Sequence, residues 1–244
     1  MKYLLIIICS WVQSAYAQNV SFKEIRLHPN PKYFNVKGTT IIYPIILTNN
    51  KAVDKRINNA IKHEMLRKED SISTRKALTE EISSGLINMS YEVTFRKYGI
   101  LSMNIYSEEC IGNCISGYNY FNFDLKTGEP ISIRDILLSE KIDSFRNIVF
   151  EDKVKALNHY KEEEKDFSKT GIDSSTYNWA IEQVDDCIKT IQIETFLLGS
   201  HGIEIIDPCE FPRIIRWQEP DYTLKYSYKF IAPFLRRKFK LVLK

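Results

Sequence analysis

Residues 88–128 read NMSYEVTFRKYGILSMNIYSEECIGNCISGYNYFNFDLKTG, and the periodicity of this stretch decides the fold class. Met89, Tyr91, Val93 and Phe95 alternate with Ser90, Glu92, Thr94 and Arg96. That period of two gives a half-buried strand with one apolar face. Lys97-Tyr98-Gly99 is a turn signal, and ILSMNIYS runs back from it, so the pair predicts a hairpin. A cysteine loop at 110–114 follows, then a strand over 116–125, then a Lys126-Thr127-Gly128 turn. Three antiparallel strands in meander order are expected between residues 88 and 125.

The flanks extend the pattern. Upstream, VSFKEIRLHP and TTIIYPIIL read as strands, with Pro44 marking an edge or a bulge. Asn49 or Asn50 can cap a helix whose Val53, Ile57, Ile61 and Met65 fall at steps of four. Residues 68–85 are polar and charge-dense, and predict a loop or a short exposed helix. Downstream, ISIRDIL leads into helical sequence over 139–165. A break at 170–175 precedes a helix with Trp179, Val184 and Ile188 on its apolar side. IQIETFLLGSHGIEII predicts a hairpin, YTLKYSYKF an alternating strand, and IAPFLRRKF a short last helix. The class is therefore α+β: antiparallel sheets around a central three-stranded meander, with helices packed on one side. The expected division is a signal peptide over 1–17, a strand-helix subdomain over 18–85, and a meander with helices and strands over 86–244.

Compartment follows from the N-terminus. Lys2, the apolar run from Leu4 to Val12 and Ala15-Tyr16-Ala17 form a secretory signal with cleavage before Gln18. The apolar run is about half of what a membrane span needs. Export changes how the remaining cysteines read. Cys110, Cys114, Cys187 and Cys209 are an even set in an oxidising compartment, which favours disulfides. Three pairings are possible. Cys110–Cys114 with Cys187–Cys209, which joins neighbouring segments, is the expectation taken. The spacing suits neither a zinc site nor a redox CxxC. A net charge of +3, with 44% hydrophobic and 27% charged residues, points to an ordinary globular protein without a polyanion partner. Arg236-Arg237-Lys238 reads as a solvated helix end.

Catalytic candidates are few. His28 precedes a proline, His63 lies on the first helix, and His159 is near a helix end. His201 sits in the Ser200-His201-Gly202 turn with Glu204 and Asp207 close in sequence, the pattern of a His–carboxylate general base. The neighbouring carboxylates Glu108-Glu109 and Asp185-Asp186 suit solvated edges better than a glycosidase dyad. No phosphate-binding glycine loop or nucleophile elbow occurs. Surface recognition remains. In the third meander strand, Asn119, Phe121, Phe123 and Leu125 share one face, and Tyr118, Tyr120 and Asn122 share the other. If the phenylalanines face the core, two tyrosines and an asparagine form a contact patch, since tyrosine offers large area at low entropy cost.

Several phrases, taken in order, resemble a known family. They are Tyr43-Pro44 before a helix holding Ile57-Asn58-Asn59-Ala60-Ile61, and Phe123-Asp124-Leu125-Lys126-Thr127-Gly128-Glu129 followed by Ile131–Leu137. Phe196, Leu198, Gly202-Ile203 and Ile205–Pro208 match more loosely. The order is similar to the extracellular region of RsiV-type anti-sigma factors, also found in PdaC-type peptidoglycan deacetylases, where it joins two domains of once unknown function. The shared motifs are structural: Asp124 caps a turn whose left-handed position Gly128 supplies. Cys110-Ile111-Gly112-Asn113-Cys114 departs from the family, standing where many members carry a Gly-Gly-Ala-His-like phrase. Neither the membrane helix of an anti-sigma factor nor the separate catalytic domain of a deacetylase is expected here. The resemblance implies protein recognition at the cell envelope, because RsiV-type regions bind a lysozyme.

The combined expectation is an exported cell-envelope protein, periplasmic or extracellular and peripheral to a membrane at most. It is a non-catalytic module that binds a lysozyme-like protein or a peptidoglycan-type ligand through Tyr118, Tyr120 and Asn122. No cofactor, metal or nucleic acid is expected. The alternative is a cell-wall hydrolase or esterase using His201 with Glu204.

Overall fold

Strands β1 (Ser21–Leu27) and β2 (Ile41–Leu47) pair antiparallel at the start of a five-stranded sheet. The structure, a computed structural model, describes residues 20–32, 38–163 and 174–243. The signal-peptide expectation for 1–17 lies outside these residues, as does most of the break expected at 170–175. The meander follows as β3 (Leu86–Lys97), β4 (Ile100–Ile111) and β5 (Asn113–Asp124), in the order read from the sequence. Its first turn is the two-residue loop Tyr98-Gly99, with φ of 56° and 77°. Positive φ at both positions matches the right-handed twist of the flanking strands. The second turn is tighter than the expected loop. β4 and β5 stay paired through Cys110↔Cys114 to Ile111↔Asn113, so β5 begins at Asn113 rather than at 116.

β2 meets β3 through one parallel pair, Ile41↔Met89, so the sheet is mixed and spans the boundary expected at residue 85. Pro44 is therefore not on an edge strand. It is tolerated because β2's far side is largely free of ladder bonds. Asn58, from the Ile57-Asn58-Asn59-Ala60-Ile61 phrase, serves that side: the Ile46 N–H donates to Asn58 Oδ1 at 2.8 Å and Asn58 Nδ2 donates to the Ile46 carbonyl at 2.7 Å. Asn58 lies on α1 (Lys51–Leu66), which Asn50 caps by accepting from the Ala52 N–H. α1 buries Val53, Ile57 and Ile61 against Tyr43, Leu101, Met103 and Phe123. Residues 74–83 form helix α2, which is not the exposed element expected. Ala77, Leu78 and Ile82 are buried in the same cluster beneath a charged outer face.

One expectation for the opening stretch fails at a single residue. Val93 pairs with Met103 and Phe95 with Ser102, so Thr94 is an extra residue in β3, a β-bulge. The bulge reverses the alternation. Met89, Tyr91 and Val93 face the helices, while Phe95 joins a second core on the sheet's opposite side with Ile100. That core is completed by a three-stranded antiparallel sheet of β6 (Phe196–Leu198), β7 (Gly202–Ile205) and β8 (Leu224–Ser227). Around it pack α3 (Ile133–Ile136), α4 (Ile142–Glu163), α6 (Tyr228–Ile231) and α7 (Arg237–Val242). The strand expected over 222–230 thus stops at Ser227, whose hydroxyl accepts from the Phe230 N–H and starts α6. A third cluster joins α4 to α5 (Ser174–Ile188) through Leu157, Ala180, Val184 and Phe211. Ala180 takes the buried place expected for Trp179, which is exposed. The fold is α+β, with α1 and α2 sharing one face of the large sheet.

The Lys126-Thr127-Gly128 turn behaves as its chemistry requires. Asp124 Oδ1 accepts from the Lys126 N–H at 2.8 Å, and the Gly128 N–H donates to the Asp124 carbonyl at 2.7 Å. Gly128 has φ of +78°, and a Cβ there would stand 3.1 Å from the Val53 carbonyl of α1. Both the left-handed backbone and the close approach demand glycine.

Candidate functional site

The two faces of β5 part as the alternation predicts, but only part of the tyrosine face is open. Phe121 and Phe123 are buried on the α1 side. On the other side β6 crosses the lower half of the meander and is tied to it by side chains. Ser102 Oγ donates to Asn122 Oδ1 at 2.6 Å, and Asn122 Nδ2 donates to the Phe196 carbonyl at 2.8 Å. The Leu198 N–H donates to Ser102 Oγ at 3.0 Å, and the bulged Thr94 donates its hydroxyl to the Leu198 carbonyl at 2.6 Å. Asn122 is 7% exposed and is spent on this seam. Tyr118, at 55%, lies beyond the end of β6, with its ring 5.2 Å from that of Tyr106 and 6.2 Å from that of Tyr120. Tyr120 is intermediate. Burial first, then the Glu204 carboxylate and Tyr118, push its phenol pKa up.

Tyr118 and Tyr120 border a cleft of about 820 Å³ that runs along β5. This lies within the usual range of ligand sites, roughly 300–1,000 Å³. The far wall comes from α5, from residues 190–196 and from the segment after β7. The Cys187–Cys209 disulfide clips those segments together and itself lines the cleft. Lys153 also lines it, although it is only 1% exposed. Its ammonium donates to Asp207 Oδ2 at 2.6 Å and to the Thr190 carbonyl at 3.0 Å, a matched buried pair. Tyr222 donates its hydroxyl to the Asp207 carbonyl, which fixes the same segment. The lining is acidic: among the described residues it holds Glu64, Asp186, Glu194, Asp207 and Glu210 against one ammonium, that of Lys153.

His201 and Glu204 line a different, smaller groove of about 420 Å³ beside β7 and β8. His201 is exposed in the β6–β7 turn. Glu204 pairs with Lys225 across the strands at 3.3 Å. Among the described residues no hydrogen bond or ion pair joins His201 to Glu204. Both expected disulfides are present, Cys110–Cys114 at the β4–β5 tip and Cys187–Cys209 at the cleft. Glu108 lies within 4.8 Å of the Cys110 and Cys114 sulfurs, but the disulfide consumes both thiolates a metal would need. Sequence reasoning missed Lys153, and it read Asp207 only as a carboxylate close to His201, whereas Asp207 pairs with Lys153. A signal for Lys153 was present: it falls four residues after Val149 and four before Leu157, on α4's apolar stripe.

The fold recurs in solved structures. A DUF3298 family member from Bacteroides fragilis aligns with a TM-score of 0.59 at 12% identity, covering 90% of this chain and 95% of that one. A DUF3298 family protein from Pseudomonas aeruginosa aligns with a TM-score of 0.54 at 14% identity, again covering 90% and 95%. At these identities the likeness is one of fold. No family profile and no curated protein matches the sequence. Among the described residues no helix is long and apolar enough to cross a membrane.

Proposed function

We propose that this is an exported cell-envelope protein that recognises a partner rather than catalysing a reaction, the partner being a lysozyme-like protein or a cell-wall ligand. The carrying observation is the open polar cleft beside Tyr118 and Tyr120, rimmed by exposed aromatic area and clipped by a disulfide. Two disulfides and the Ala15-Tyr16-Ala17 signal support export. The sequence resemblance to RsiV-type and PdaC-type regions supplies the envelope setting. The hydrolase alternative needs His201 and Glu204 to act together, whereas Glu204 is held by Lys225. The test is to purify the secreted protein and measure its binding to lysozymes and to peptidoglycan sacculi. Saturable binding to either is expected, with an N-terminus at Gln18. Binding to neither overturns the proposal.

A further inference from the structure

The free edge of β5 borders the cleft, and where the tyrosines stand its outward main chain has no backbone partner among the described residues. β5 is the last strand of its sheet. In an antiparallel pair the N–H and C=O groups of successive residues point alternately toward and away from the partner. The Leu125 N–H bonds Gly99 at the β4 start, and the Asn122 carbonyl accepts from the Ile131 N–H at 2.7 Å on the opposite edge. Even-numbered residues of β5 therefore turn their main chain away from β4. The 4.0 Å Cα separation of Cys110 and Cys114 agrees, since pairs that exchange no ladder bonds approach more closely than bonded ones. Residues 129–131 cover the lower half of this edge, through the Asp124 N–H bond to Glu129 and the Phe123↔Pro130 bridge. The cover ends there. Among the described residues, the outward N–H and C=O groups of Tyr118 and Tyr120 have no backbone partner beyond β5. They lie where the cleft opens.

Exposed edges are normally blunted by proline, lysine or a bulge. Residues 116–121, Ser-Gly-Tyr-Asn-Tyr-Phe, carry none of these, and the β4–β5 register is unbroken. A Cβ placed on Gly117 would meet nothing within 4 Å. Charge narrows the occupant. Asp207 neutralises Lys153, Asp186 pairs with Lys189, and Glu194 reaches Arg146 at 3.7 Å. Glu64 and Glu210, on opposite walls, have no ion pair among the described residues.

We infer that the cleft takes an extended, basic segment of a protein partner, added to β5 as a further strand. The main chain of Tyr118 and Tyr120 supplies the ladder, and Glu64 and Glu210 meet the partner's cationic side chains. This deepens the recognition proposal and rests on it. A glycan would instead use the tyrosine rings and hydroxyl-bonding side chains, without following a strand register.

The test is amide hydrogen exchange, read by NMR on the secreted protein. The probes are a Lys-Lys-Val-Val repeat peptide, which carries lysines on both strand faces, its Glu-Glu-Val-Val counterpart and N-acetylglucosamine oligosaccharides. Saturable binding of the basic peptide is expected to slow exchange at the Tyr118 and Tyr120 amides; the acidic peptide does not. Tyr118→Pro deletes the outward donor while sparing the β4 ladder, and should weaken the basic peptide about tenfold relative to Tyr118→Ala. Equal affinity in the Pro and Ala variants overturns the inference, provided both keep the wild-type melting temperature. So does protection by the acidic peptide, or by the oligosaccharide in place of the basic peptide. If lysozyme or sacculi bind while the β5 amides stay unprotected, the strand-addition inference falls and the recognition proposal stands. If nothing binds, both fall.

Discussion

Asn122→Ala is expected to loosen the joint between the two sheets rather than strip a contact from a binding face. The substitution takes the acceptor from Ser102 Oγ, now at 2.6 Å, and the donor from the Phe196 carbonyl, now at 2.8 Å. Water cannot readily replace either, because Ser102 is 0% and Asn122 7% exposed. Stranding one buried hydrogen-bonding group costs about 1–3 kcal/mol. The Ser102 proton has a poorer alternative in Thr94 Oγ1, 3.3 Å away, so its share falls at the low end. The sum is about 2–4 kcal/mol, a drop in melting temperature of roughly 4–16 °C for a chain of this length. The assay is urea unfolding followed by far-ultraviolet circular dichroism, comparing midpoints at unchanged m. Tyr118→Ala serves as the comparison. Its side chain is mostly in solvent, and the expected change is within about 0.5 kcal/mol. A loss below about 1 kcal/mol for Asn122→Ala would refute the argument that this amide stitches the sheets. The seam predicts coupling as well: Ser102→Ala and Asn122→Ala together should cost less than the sum of the two.

Lys153→Met should cost about 3–5 kcal/mol by leaving Asp207 buried and unpaired, and Lys153→Met with Asp207→Leu should recover most of that loss in the same unfolding assay. Asp135 is held below the usual carboxylate range by the Ser132 hydroxyl and then the Ser132 N–H, with nearby Lys238 and Arg236 adding to the effect. A carboxylate whose folded pKa is depressed contributes stability above its unfolded pKa and loses it as pH falls through the folded value. Stability measured from neutral pH downward should therefore converge between wild type and Asp135→Asn in acid, and a constant gap would contradict the capping assignment. Cys187→Ser should cost about 3 kcal/mol by opening a loop with a sequence separation of 22. Cys114→Ser, which opens a separation of 4, should cost less, so the reverse order in thermal unfolding would count against the loop-closure account.

The sequence alone carried the elements whose causes are local. Alternation, the Tyr98-Gly99 turn and the Asp124–Gly128 turn specify the meander, because side-chain direction and turn backbone depend on a few adjacent residues. Steps of four from Val53 to Met65 specify α1, and cysteine spacing favoured the pairing observed. Where long-range partners decide, local reading stops. The bulge at Thr94 sends Phe95 to another core and aims a hydroxyl at β6, and no residue near Thr94 announces it. Residues 74–83 look exposed until α1 supplies the surface that buries Leu78 and Ile82. Tyr118, Tyr120 and Asn122 are equivalent as a pattern of two, yet β6, which lies 74 residues beyond Asn122, covers one end of the row and leaves the other open. The cleft itself is assembled from five separate stretches of chain. Its carboxylates and its buried lysine become a site only when the fold brings them to the free edge of β5.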